Sequence, residues 1–118
     1  MAIVTWDPNN KGSNVTLSSD YLTATIPSFQ GVRGSIGKSV GKWYWEVKVI
    51  SSGNSATIVG IVNSSVNLSS SSDLIGSNAR MYYGREGYRY PEGTSYGATY
   101  GAGSIISVLV DLDNGTLE

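Results

Sequence analysis

From Lys42 to Val49 the chain reads Lys-Trp-Tyr-Trp-Glu-Val-Lys-Val, and a two-residue period runs through it unbroken. Successive side chains of an extended strand point to opposite faces, so Trp43, Trp45, Val47 and Val49 share one face and Lys42, Tyr44, Glu46 and Lys48 the other. The first face is expected in a core. A second such segment runs from Ser104 to Leu112, with Ile106, Val108, Val110 and Leu112 on one side and Ile105, Ser107, Leu109 and Asp111 opposite. Asp113-Asn114-Gly115 then forms a turn that returns a chain into an antiparallel partner, which Thr116-Leu117-Glu118 begins.

Other stretches fit the same pattern. Strands are expected at Val15 to Leu17 and Tyr21 to Ile26, with Asp20 in the turn between them and Pro27-Ser28 leading out. Ser51-Ser52-Gly53-Asn54 punctuates the chain before an apolar central strand, Ala56 to Val62, in which Gly60 suggests a bulge or a crowding ring. Ser69, Ser70, Ser71 and Ser72 read as a flexible loop, and Arg80 to Tyr83 as a short strand. The segment from Gly84 to Tyr90 is either a further strand or an irregular crossing. Many short strands with no helical periodicity, in a chain of 118 residues, point to a single all-β domain over residues 1–118. The expected architecture is a two-sheet antiparallel β-sandwich.

Composition narrows the chemistry. The chain contains neither cysteine nor histidine, which removes disulfides, thiolate and imidazole metal ligands, and Ser-His-Asp or Cys-His catalysis. A net charge of -1 with 14% charged residues provides no positive field for nucleic acid or an anionic membrane. No run approaches the roughly 20 apolar residues of a membrane helix. Residues Met1 to Pro8 lack the pattern of a secretory signal, leaving a specialised export route or release within an assembled particle open. No cofactor or metal is expected. Asp111, Asp113 and Asn114 look like an ion-binding loop but lack the spacing and distal acid of an EF-hand, and a strand with an Asn-Gly turn explains them. Glu86 and Glu92 read as solvated carboxylates rather than a glycosidase pair, and the glycine-containing loops lack the Lys-Ser/Thr ending of a phosphate loop.

The candidate binding residues lie mainly in one stretch. Tyr82, Tyr88, Tyr90, Tyr96 and Tyr100 are interleaved with glycines and with Arg85 and Arg89, and Tyr83 and Arg80 belong to the same stretch. Tyrosine offers a broad apolar ring with a polar tip and arginine a forked donor, a pairing suited to protein or glycan recognition. The competing role for each ring is to fill the sandwich. Arg33, on the loop before Lys38, is a further candidate for an acidic ligand, with a salt-bridged structural role as its alternative. Trp43 and Trp45 are expected in the core, and Trp6 either covers a sheet edge or presents a contact.

Several fragments in order along the chain resemble the SPRY/B30.2 family: Trp6-Asp7-Pro8, Val32-Arg33, Gly41-Lys42-Trp43-Tyr44-Trp45-Glu46-Val47, Gly60-Ile61, Leu74-Ile75-Gly76, Tyr96-Gly97 and the run from Val108 to Leu117. The resemblance implies a distorted, concanavalin-like jelly-roll sandwich whose loops bind proteins, commonly through short peptides, with no general catalytic machinery. The wording from Lys38 to Glu46 is similar to SPRY-like modules of phage and bacteria, which implies a virion, tail or host-cytoplasmic assembly setting. Ser104 stands where the family often has Asp. Leu22, Ala24, Ile26 and Ser71 occupy positions where receptors for Asn-rich peptides carry other residues, so that peptide specificity does not transfer. The family pattern also continues past the point matching Glu118, so the chain reads as a fragment, a compact phage variant or one half of a fold completed by a partner chain, and self-association through an exposed C-terminal sheet edge is one expectation among these. The leading expectation is a non-catalytic protein or peptide recognition module. A glycan-binding module and a structural assembly protein are the alternatives.

Overall fold

The computed structural model describes residues 4–51 and 57–118. The strands follow in the order β1 (Trp6–Lys11), β2 (Thr16–Leu17), β3 (Ala24–Thr25), β4 (Val32–Gly34), β5 (Lys42–Lys48) and β6 (Ile58–Val62). After one helical turn, α1 (Ser71–Leu74), come β7 (Ala79–Tyr83), β8 (Tyr88–Tyr90), β9 (Thr94–Ser95), β10 (Ile105–Asp111) and β11 (Thr116–Leu117). All pairings are antiparallel. They build two larger sheets, β11-β10-β5 and β6-β7-β8-β9, and two small ribbons, β1-β4 and β2-β3. The chain is therefore all-β in the sandwich manner expected. Ala56, at the start of the expected central strand, and Ser52, Gly53 and Asn54 of the preceding turn lie outside the described residues.

The period-two segments do what their pattern requires. β5 and β10 pair over their whole length without a register shift, with Val47 opposite Ile106, Trp45 opposite Val108 and Trp43 opposite Val110. Val49, Val108 and Val110 are buried, Val47 and Trp45 are half-buried, and Trp43 remains 39% exposed. The expected core position of Trp43 is thus not realised. It sits at the end of the strand beside the 35–41 loop, where its indole N–H donates to the Val40 carbonyl at 2.7 Å and the Lys38 ammonium lies 4.3 Å from the ring centroid. A backbone carbonyl and a cation satisfy the amphipathic ring there, where packing on all sides does not.

One face of the four-stranded sheet rests on the α1 segment. Val62, Ala79 and Met81 pack against Val66, Leu68 and Leu74. The serine run expected as a flexible loop instead enters this helical turn. The Ser70 hydroxyl accepts from the Asp73 amide at 3.4 Å, the Asp73 carboxylate accepts from the Asn67 amide at 2.9 Å, and Leu74 is inserted beneath them. Serine and aspartate favour such caps because their short side chains satisfy amides that the first turn leaves free. Gly60 causes no bulge, since β6 and β7 keep an unbroken register. Its crowding comes from backbone, because a Cβ would run into the Arg80 carbonyl oxygen and approach Met81 Sδ at 2.8 Å. The glycine crowded by a ring is Gly84, whose Cβ would stand 2.7 Å from Tyr100 Cε2.

The irregular middle of β1 and the turn between β10 and β11 share one device. Asp7 accepts from the Asn9 amide and the Asn10 side chain, and Asp111 accepts from the Asp113 and Asn114 amides and the Asn114 side chain. The Asn10 side chain first and the Asn9 amide second hold the Asp7 carboxyl below its ordinary range. For Asp111 the Asn114 side chain is the largest cause. A folded-state pKa below the unfolded value stabilises the fold above the unfolded pKa of about 3.9, and that contribution is lost as pH falls through the lower folded value. The melting temperature is therefore expected to hold from neutrality to about pH 5 and to fall below about pH 4. Asp111→Asn should shrink this acid-side loss. Circular dichroism melts across a pH series check both, and an unchanged acid-side slope in Asp111→Asn would remove Asp111 from the account.

Candidate functional site

The two larger sheets face each other across an open cleft of about 220 Å³. Strand register determines its walls. Val59 lies opposite Tyr82, Tyr82 opposite Arg89, and Arg89 opposite Thr94, so these four share one face of the β6-β7-β8-β9 sheet. Ile106, Val108 and Leu117, from β10 and β11, form the facing wall, and Arg80, Tyr90, Glu92, Tyr96 and Glu118 complete the lining. The floor is apolar and the rim polar, the composition typical of a binding groove.

Tyrosines frame one side. Tyr82 meets Tyr96 edge-on at 5.3 Å between ring centroids and Tyr100 at 4.8 Å, both in the arrangement that ring quadrupoles favour. The Tyr82 hydroxyl donates to the Ala98 carbonyl, while that of Tyr100 reaches the carbonyls of Thr57, at 3.0 Å, and Tyr82. Burial first, and the neighbouring Tyr96 second, push the Tyr82 hydroxyl up; burial first and Tyr82 second push Tyr100 higher still. Both hydroxyls stay protonated donors at neutral pH, which suits a framework that depends on them. Tyr100 lies behind Tyr82 and fixes its ring. Tyr96, 48% exposed, presents its own ring at the mouth.

Arg89 stands at the same mouth, its Nε 3.9 Å from Glu92 with both side chains about half exposed. An ion pair so open to water exchanges readily for a ligand contact. Arg80 is partly tied down, donating to the Ser77 and Ala79 carbonyls at 3.0 and 2.7 Å.

The fold therefore gathers Tyr82, Arg89 and Tyr96 at one cleft, with Tyr100 as support, and separates the other candidates from it; Tyr90 borders the cleft, but register sets its side chain on the opposite face with Met81 and Tyr83. Tyr88 lies on the opposite face of its sheet, beside Tyr83 and Ser95. Tyr83 and Tyr90 make their own edge-on pair at 5.8 Å, next to a small hollow shared with Phe29, Ile58 and Ile75. Arg85 projects from the turn between β7 and β8. Arg33 is engaged structurally. It donates to the Asn63 and Val66 carbonyls at 2.7 and 3.3 Å and so pins the loop after β6, although its buried Nε lacks a protein partner. Sequence reasoning did not assign Ile106, Val108, Leu117 and Glu118 to the site. The alternation of β10 turned Ile106 and Val108 inward, but nothing local says which sheet they oppose.

Among the described residues, no group of three or more acidic, histidine or cysteine side chains gathers to hold a metal, and no helix is long and apolar enough to cross a membrane. A family model described as SPRY domain matches residues 42–118, from the first residue of β5 through β11. That match covers both walls of the cleft and every candidate residue except Arg33. No curated protein matched the sequence.

Proposed function

The chain belongs to the SPRY domain family, whose domains are protein-interaction modules, and from that premise we propose that it recognises an extended peptide segment of a partner protein in the cleft between its two larger sheets. The observation that supports this reading is the convergence of Tyr82, Arg89 and Tyr96 from one sheet with Leu117 from the other on a single open cleft. Tyrosine rings at the rim supply large contact area at small cost in side-chain entropy, and Arg89 supplies a forked donor for a carbonyl or carboxylate of the peptide. The role is recognition, without a catalytic step.

Selection from a displayed peptide library followed by calorimetry tests the proposal. Tyr96→Ala and Arg89→Ala are each expected to weaken a selected peptide by about tenfold or more, the usual effect of truncating an aromatic or arginine anchor. Arg85→Ala, outside the cleft, should leave binding unchanged. Peptides that bind equally well to all three variants would place recognition elsewhere. The half-exposed Tyr96 ring also supports a glycan reading, in which a sugar face stacks at the mouth, and glycan-array binding abolished by Tyr96→Ala would favour it. The wording from Lys38 to Glu46 supports a phage-particle setting, which detection of the chain in purified virions would test.

A further inference from the structure

We propose that the outer edge of β5 is an interface for a second copy of this chain, the two strands pairing antiparallel about a two-fold axis through Tyr44. The backbone supplies the first reason. Val49 donates to the Ser104 carbonyl and Leu112 to the Gly41 carbonyl, each at 2.8 Å, and no register shift intervenes. Hydrogen-bonding direction alternates along an antiparallel strand, so Trp43, Trp45 and Val47 bond to β10. Lys42, Tyr44, Glu46 and Lys48 direct their N–H and C=O groups to the other edge, with which no strand pairs among the described residues. The edge is long and contains no proline, and so lacks two of the devices that blunt edge pairing. β11, at the opposite edge of the same sheet, is two residues long and gives a partner little ladder to join.

The side chains identify the partner. Only pairings between outward-directed residues are allowed, which confines β5 self-pairing to registers joining even-numbered residues. Centring on Trp45 sets Lys42 against Lys48, centring on Glu46 sets two acids together, and centring on Val47 leaves only a short overlap. Centring on Tyr44 places Lys42 opposite the partner's Glu46 and Glu46 opposite the partner's Lys42, an isologous arrangement with two complementary charge pairs. Glu46 forms no ion pair among the described residues, and Lys42 has only a long 3.9 Å contact to Asp111. On the same face Tyr44, 58% exposed, lies beside Leu109, 46% exposed, so pairing would join two apolar stripes into one across the axis. On the inner face the exposed Trp43 comes opposite the partner's Trp45. The product is a continuous six-stranded sheet with charges flanking an apolar centre.

Sedimentation equilibrium over a concentration series tests this on the full chain. The unmodified chain is expected to dimerise. Glu46→Lys should raise the dimer dissociation constant at least tenfold, and Lys42→Glu should do the same. The double exchange Lys42→Glu/Glu46→Lys should restore dimerisation, which recovery of fold alone would not produce in a variant whose melting is unchanged. Lys48→Glu should leave the dimer intact, because the Tyr44-centred register gives Lys48 no charged partner. A monomer at all concentrations, or a dimer indifferent to Glu46→Lys, would overturn the proposal. Neither result bears on peptide binding in the cleft.

Discussion

Leu74→Ala is expected to destabilise the domain by about 2–5 kcal/mol, the range for truncating a leucine in a core that cannot collapse around the cavity. Leu74 is 5% exposed and, with Val66 and Ala79, forms a compact cluster against which Val62, Leu68 and Met81 also rest. Its surroundings are already close. A Cβ built on Gly31 would stand 3.0 Å from Leu74 Cδ2, so little neighbouring volume is available to refill the space. Domains of this size are stable by about 5–15 kcal/mol, so the loss is a large fraction of the whole. The buried apolar set is also small among the described residues, with Val15, Val49, Val59, Val108 and Val110 as its other members. Urea unfolding should show a lower midpoint at unchanged slope. A loss below about 1 kcal/mol would mean that α1 is not docked against β7 in solution.

Gly87→Ala is expected to cost on the order of 3 kcal/mol, from two separable causes. Gly87 has φ +71°, in the left-handed region where an L side chain is disfavoured by about 1–2 kcal/mol. Its Cβ would also run into the Gly97 carbonyl oxygen. That carbonyl cannot move freely, because Gly87 ties the segment together: its amide donates to Tyr83 at 2.9 Å, and its carbonyl accepts from Tyr96 and Gly97 at 2.9 and 3.0 Å. Gly103 separates the two causes. It has φ +90° with nothing near its Cβ position, so Gly103→Ala should show the backbone penalty alone. Equal losses in the two variants would show that the Gly97 contact relaxes without cost. Gly87→Ala should further weaken peptide binding in the cleft, since Tyr96 hangs from the Gly87 carbonyl, while Gly103→Ala should not.

Legibility varied with the range of the interaction. The strands β5 and β10, their facing residues and the β10–β11 turn could be read directly, because alternation and Asn-Gly turn chemistry are properties of neighbouring residues. The helical turn at α1 was missed although its parts were visible, since Ser70 and Asp73 favour both loops and caps, and only the docking of Leu74 selects the cap. Trp43 was misplaced for a similar reason. Period two gives the face of a side chain, while its burial depends on what covers that end of the sheet, and there the cover is Val40 and Lys38.

The tyrosine stretch shows the same division. Its composition marked the region for recognition, but register set Tyr82 and Arg89 on one face of their sheet and Tyr88 on the other, and assigned Tyr100 a supporting role. Arg33 could not be resolved from sequence, because whether a guanidinium meets a ligand or a carbonyl depends on a loop some thirty residues away.

The sequence by itself determined an all-β chain, which face of each long strand is apolar, and a chemistry without thiol or imidazole. The tertiary structure decided which faces meet, and so the cleft. Side-chain direction along a strand follows from local backbone geometry, whereas the opposition of two sheets is set by packing between residues far apart in the chain.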